Sequence, residues 1–234
     1  MWFSVLLPRI HAFVPAGTIL EIAPGYGRWT QYLKDLCDRL IIVDLAENCI
    51  DHCRRRFSAA SNIEYHVNDG RSLDAVADGS VDFVFSFDSL VHVEADVLAA
   101  YLKELTRKLK PDGVGFFHHS NIGSYRAMKA LVYATPERLR RPLAHQGVLL
   151  DLFRWRAESV TADGFAGLCA DADLACVAQE KITWEDGPWL IDALSVFTPR
   201  GSRWDRPRVV MENRRFHKDA ARLGKLYGRT SFPA

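Results

Sequence analysis

The chain has 234 residues, 48% of them hydrophobic, and a formal charge of +1 from 30 Lys and Arg against 29 Asp and Glu. That length suits one large domain, and that apolar fraction excludes wholesale disorder. Near-neutrality argues against a dedicated nucleic-acid binder, and no run is long and apolar enough to predict a membrane span.

The first nine residues, MWFSVLLPR, are apolar but lack a basic leading region and are cut by Pro8, so no signal peptide is expected. The five cysteines, Cys37, Cys49, Cys53, Cys169 and Cys176, are odd in number and form no CxxC pair. Zinc-ribbon and disulfide-framework readings fail, and a reducing cytoplasmic setting is expected. Cys49 and Cys53 share a helix face and read as two small buried thiols.

From residue 18 onward, apolar β-rich runs alternate with helical patterns. Residues 18–23 (TILEIA) predict a strand, followed by a glycine turn and a helix over about 28–37. A second strand is expected at 40–43 and a helix at 46–57. A third strand is expected at 63–67, then the turn Asp69-Gly70 and a short helix over 72–76. Residues 81–87 predict a fourth strand, and residues 94–109 repeat apolar side chains with helical period. The turn Lys110-Pro111-Asp112-Gly113 ends that helix before a fifth strand at 114–118.

Residues 120–157 then break the pattern. They read as an insertion with a helix near 125–133 and an Arg/Pro-rich stretch at 136–142. A helix follows from Ser159, with Ser159 or Thr161 as N-cap, and then two strand-like runs, 174–183 and 190–198, turned at Gly187-Pro188. The expectation is an α/β, Rossmann-like, doubly wound and mostly parallel seven-stranded sheet. It would close with an antiparallel hairpin and carry a lid insertion beside the carboxyl ends of its strands.

Glu21-Ile22-Ala23-Pro24-Gly25-Tyr26-Gly27-Arg28 joins the first strand to the first helix. Gly25 and Gly27 allow a sharp turn and a close approach to a ligand, and the helix start adds donors. Asp44 ends the second strand, where a carboxylate can accept from both hydroxyls of a ribose. Asp69 ends the third, where one can accept from an adenine amino group. Each alone reads equally well as a turn or cap acid; three successive strand ends are harder to explain that way. A nicotinamide dehydrogenase would place a third glycine where this chain has Thr30.

The segment ILEIAPGYG (19–27) resembles the first motif of class I S-adenosylmethionine-dependent methyltransferases, with Ala23 in place of the usual first glycine. Asp44 matches the ribose-binding acid, Asp69 the adenine-binding acid, FDSLVH (87–92) the segment beside the methionine part, and LKPDG (109–113) the turn before the fifth strand. The resemblance covers about residues 18–198. It implies S-adenosylmethionine as cofactor, held by Glu21, Ala23, Gly25, Tyr26, Gly27, Trp29, Asp44, Leu45, Asp69, Gly70, Arg71, Phe87 and Asp88.

Methyl transfer to a hydroxyl calls for a base. The candidates are His119, Asp88 and His92. Strand alternation lets only one of His118 and His119 face the site, and His119, nearer the strand end, is favoured here. Acceptor contacts are expected from His118 on the fifth strand and from Tyr125, Arg126, His145 and Trp155 in the insertion, which also carries Tyr133, Arg138, Arg140, Arg141, Arg154 and Arg156. Aromatic faces and guanidinium forks suit a polyhydroxylated or anionic acceptor, and equally a solvated helix face.

The stretches VNDGRSLD, SFDSLVHVEADV and GFFHHSN resemble bacterial O-methyltransferases of saccharide synthesis. A small-molecule or oligosaccharide substrate is therefore expected, with no nucleic acid. A divalent metal such as Mg2+, through Asp88, His92 and His119, is allowed but not implied by the spacing. Amine, carboxylate or phenol acceptors, and a non-catalytic scaffold, stay open.

The +1 hides an asymmetry. Residues 200–234 carry +7 and residues 1–199 carry −6. The tail is expected to be helical, packed on the domain or bridging a homodimer.

Overall fold

The computed structural model describes residues 1–146, 148–150, 155–184 and 188–227. Its centre is one sheet with strand order β3-β2-β1-β4-β5-β7-β6-β8. The strands are β1 (Ala16–Ile22), β2 (Cys37–Asp44), β3 (Ile63–Val67), β4 (Val81–Ser86), β5 (Leu109–Ser120), β6 (Leu174–Ile182), β7 (Asp192–Pro199) and β8 (Val209–Asn213). Only β7 runs against its neighbours, pairing antiparallel with both β5 and β6. The order reverses at β1, which pairs parallel with both β2 and β4. That reversal opens a crevice at the carboxyl ends of the strands, where open α/β sheets bind ligands.

Alternation along each buried strand divides the core into two faces. Ile19, Ile42, Phe83, Phe85 and Phe116 meet the N-terminal helices, α1 (Leu7–Ile10), α2 (Thr30–Leu33) and α3 (Glu47–Arg56), and the C-terminal α8 (Phe216–Tyr227). Leu20, Ile41, Val84 and Phe117 meet α4 (Ala95–Lys108) and α7 (Ala162–Asp171). The insertion folds as α5 (Arg126–Ala134) and α6 (Glu137–His145) around a third cluster of Ile122, Val132, Leu149, Leu150 and Ile191.

The structure corrects the predicted elements in five places. The sheet has eight strands, because the basic tail supplies β8 parallel to β6 before its helix α8. Phe216 and Ala220 bury that helix against the domain, and Phe216 stacks on Trp184 at 6.4 Å. The helix expected over 28–37 shrinks to Thr30–Leu33, since β2 must already pair with Ala16 at Cys37. Residues 72–76 form turns rather than a helix. Residues 110–113 bulge within β5, where the register passes from Val81↔Leu109 to Phe83↔Val114. The Arg/Pro stretch is helical despite Pro142. Of the two caps considered for α7, Thr161 is the one used, its hydroxyl accepting from Gly164 N. Of the expected turn Gly187-Pro188, Gly187 lies outside the described residues, as does Arg154.

Candidate functional site

The loop after β1 holds three left-handed residues in five: Ala23 (φ 57°), Gly25 (φ 54°) and Gly27 (φ 76°). At Gly27 a Cβ would lie 2.4 Å from the Phe57 ring, so only glycine fits. Ala23 adopts its angle at a cost, of the kind that gathers at binding sites. Three hydrogen bonds from two side chains fix the loop. Arg56 Nη1 donates to the carbonyls of Tyr26 and Gly27 at 2.7 and 3.0 Å, and the Cys53 thiol donates to Gly25 O at 3.3 Å. Burial pushes that thiol up to about 12. Cys53 is buried as expected, whereas Cys49 is only half-buried.

Asp44, at the end of β2, accepts from Gly25 N at 3.1 Å and Ala46 N at 2.9 Å, one on each oxygen. Each carboxylate oxygen keeps a lone pair for a vicinal diol. Beside it, Leu45 is 64% exposed and lies against Gly70, an uncovered apolar surface suited to a flat heterocycle. Asp69 is exposed and turns its own loop, accepting from the amides of Arg71 and Ser72, which lower its pKa. Arg71 pairs outward with Asp96.

Glu21 is buried beneath the loop. One of its oxygens accepts from Thr30 Oγ1 at 2.6 Å; the other has no partner. Burial raises its pKa to about 8, against the Thr30 bond and with a contribution from Asp44. An orphaned buried acid of this kind fits a cationic group arriving from the crevice. Trp29 meets Phe87 edge-on at 5.5 Å, while Tyr26 is exposed and leans on His52.

At the end of β4, Asp88 is strained (φ 66°) and faces Arg28 Nη1 at 3.4 Å. Ser89 Oγ donates to Ala23 O at 2.9 Å, tying the two strained turns together. His92 is exposed in the following 3-10 turn, Leu90–His92.

The two histidines of β5 go opposite ways. His119, expected to face the site, lies in the core against α7. Its ring stacks on Phe165 at 4.1 Å, with Ser195 Oγ and Ser120 O each 2.8 Å from a ring nitrogen. Burial lowers its pKa to about 4. That placement also separates it from Asp88, so the Asp88, His92 and His119 ligand set is not assembled. Among the described residues no group of three or more His, Cys, Asp or Glu side chains gathers to hold a metal.

His118 is the ring on the site's face, packed on Phe87 at 4.6 Å and Trp184 at 5.0 Å. Its Nδ1 accepts from Asp88 N at 3.2 Å, so Nε2 carries the proton. Nε2 lies 3.3 Å from Asp192 Oδ2, too oblique for a good hydrogen bond but close enough for charge attraction. Asp192, fully buried at the start of β7, takes a fork from Arg156 at 2.7 and 3.0 Å. Burial alone would raise its carboxyl, yet His118 and Arg156 hold it below its usual value.

Sequence reading missed Asp192, Trp184, Thr30 and Arg56 as site residues, and placed Arg156 only in the lid. A lone acid inside the apolar run LIDALSVF was the available signal, because a buried charge needs a partner.

Of the expected acceptor contacts, Tyr125 Oη accepts from Leu190 N and its ring meets Trp189, so it is structural in this state. Arg126 lines a cleft of about 500 Å³ with Glu94, Ile122, Gly123, Lys129, Glu158 and Ser159. His145 and Trp155 are exposed on the insertion.

Residues 19–113 match the family described as Methyltransferase domain. Over 95 residues the chain is 25% identical to Methyltransferase nsrG of Aspergillus novofumigatus, covering 41% of this chain and 36% of that one. The chain thus spans about a third of the length of that curated relative. The crystal structure of the PH0226 protein from Pyrococcus horikoshii is similar at a TM-score of 0.60, with 24% identity over 85% of this chain and 90% of that one. The crystal structure of S-adenosylmethionine-dependent methyltransferases from Methanosarcina mazei is similar at a TM-score of 0.60, with 17% identity over 83% of this chain and 98% of that one. These two likenesses show the fold. The matched methyltransferase domain, residues 19–113, contains the strand-end residues described above. The crevice residues fit S-adenosylmethionine: Asp44 for a diol, Leu45 and Gly70 for a ring, and the orphaned Glu21 oxygen on the side of a cationic end.

Proposed function

We propose that the chain is an O-methyltransferase acting on a hydroxyl of a saccharide or similar small polar acceptor, with His118 as the general base. The bound cofactor supplies an electrophilic methyl group and a neutral leaving group. The protein must hold the acceptor in line and receive its proton.

One observation carries the reading: the His118 ring sits between the Asp88 amide and buried Asp192. With Nε2–H turned to buried Asp192, the basic lone pair sits on Nδ1, toward Phe87 and Asp88. Asp88 N–H occupies that lone pair in the structure, and an acceptor hydroxyl would exchange with it. The proton then goes to Nδ1, and Asp192 stabilises the imidazolium, as the carboxylate does in other buried His–Asp pairs. Asp88 stays in the site as a half-buried carboxylate beside Arg28 that can bind a second hydroxyl.

Arg126, Glu94, Glu158 and Ser159 in the neighbouring cleft offer charged and hydroxyl groups to a polyhydroxylated acceptor. No described helix is long and apolar enough to cross a membrane, and the five free thiols fit the cytoplasmic setting we propose.

Transfer of labelled methyl groups to a panel of short oligosaccharides, amines and phenols tests the reading. Methylated hydroxyls, lost in His118→Gln with cofactor affinity retained, are the expected result. Transfer to amines alone overturns the acceptor class. Cofactor binding without transfer to any acceptor favours a scaffold.

A further inference from the structure

The two edges of the sheet are finished differently. On β3, Glu64 forks with Arg39 and sits beside His66, so charge guards that edge as it commonly does in natural sheets. On β8, Val209, Val210 and Met211 are 57%, 43% and 56% exposed in succession. Among the described residues, β8 pairs with β6 on one side only and ends the sheet. Three consecutive apolar side chains on an open edge strand form a pairing surface.

We propose that β8 pairs with β8 of a second copy of this chain, antiparallel about a two-fold axis at Val210, to make one continuous sheet. Self-complementarity of charge selects both partner and register. Side chains on β8 alternate: Arg208, Val210 and Glu212 lie on the α7 face, where Arg208 donates to Gln179 and Asp163. Val209, Met211 and Asn213 lie on the other, where Asn213 donates to Glu180.

A two-fold axis normal to the sheet keeps each face on its own side, so the axis must pass a residue and not fall between two. Centred on Val210, each Arg208 opposes Glu212 of the other copy, Val210 meets Val210, and Val209 meets Met211. Centred on Met211, Arg208 would oppose Arg214 and Val210 would oppose Glu212. Opposite charges across strands stabilise a pair and like charges oppose it, so the first register is favoured. Five-residue edges bury little area, which places the dimer among the weak, concentration-dependent ones.

Sedimentation equilibrium on the full chain tests this. The expected mass rises from the 26.5 kDa monomer toward twice that value at loadings up to about 100 μM. Val210→Lys, at an exposed position, should leave the melting curve unchanged and the mass monomeric throughout. Arg208→Glu and Glu212→Arg should each lose the dimer, and the double swap should regain it. A wild-type chain that stays monomeric overturns the proposal and leaves the edge to another occupant, such as the chain's own last residues or a different protein. A dimer that survives Val210→Lys, or a double swap that fails to recover, overturns the surface or the register.

Discussion

His118 and His119 are neighbours on one strand, share nearly complete burial, and live in different chemistry. His119 faces α7, stacked on Phe165 between Ser195 and the Ser120 carbonyl, in surroundings that hold it neutral. His118 faces the crevice with a buried carboxylate behind one nitrogen and the strained Asp88 turn before the other. A ring enclosed by apolar carbon and hydroxyls loses its capacity to take a proton. His118 instead has a carboxylate, itself forked by Arg156, 3.3 Å from its far nitrogen. Burial therefore does not distinguish the two rings; the partner at the far nitrogen does.

The hardest way to break this contrast is to remove that partner. Asp192→Ala leaves Arg156 and His118 in a buried site without their anion and should cost about 3–5 kcal/mol, as for other broken buried pairs. Urea denaturation reads it, and a cost below about 1 kcal/mol would remove the network from the account. Next comes turnover. His118→Gln keeps a polar group near Asp192 but cannot accept the proton, so kcat should fall about 10²–10⁴-fold with cofactor affinity unchanged. An unchanged kcat would end the assignment of His118 as base.

His119→Phe keeps the stack on Phe165 and deletes two hydrogen bonds, while Gln179 still donates to Ser195 Oγ. Near neutral pH it should cost about 1–2 kcal/mol and leave kcat alone. Its signature is in acid. A folded pKa of about 4 against 6.5 means that the unfolded chain binds the proton first. The His119 contribution is full above 6.5 and is lost as pH falls through 4, on the order of 3 kcal/mol. The acid limb of the stability profile should be shallower in His119→Phe, and an identical limb would mean that the ring is not buried neutral.

The contrast marks where the sequence was readable. Strand β3 was read with its bounds correct and β4 within a residue, because continuous apolar runs between turn residues leave few alternatives. Strand β8 was not, because an edge strand exposes both faces and VVM among arginines carries no alternation. Alternation said that one of His118 and His119 faces the crevice, but proximity to the strand end chose the wrong one. The deciding partner, Asp192, lies 73 positions beyond His119 and reaches His118 only through the antiparallel β5–β7 register. The strand-end residues Asp44 and Gly25 were legible because each carries its own turn signal after an apolar run, although β1–β2 pairing is what brings them together; the His118 network depends on long-range pairing to a residue with no such signal, which no short window contains.

Glu21 extends the comparison to a buried acid and gives the smallest effect. Its pKa of about 8 means that the folded chain without cofactor holds a proton that the unfolded chain releases near 4.5. The stability it contributes is full below 4.5 and is lost as pH rises through 8. A cation meeting the orphaned oxygen reverses that preference and expels the proton. Between pH 6.5 and 7.5, S-adenosylmethionine binding should release nearly one proton. Affinity should then rise by close to tenfold per pH unit. Calorimetry in two buffers of different ionisation enthalpy counts the proton directly, without turnover. Glu21→Gln should abolish both the release and the slope, whereas Asp44→Asn should weaken binding and keep them. A release that persists in Glu21→Gln would show that the crevice takes its cation on another group.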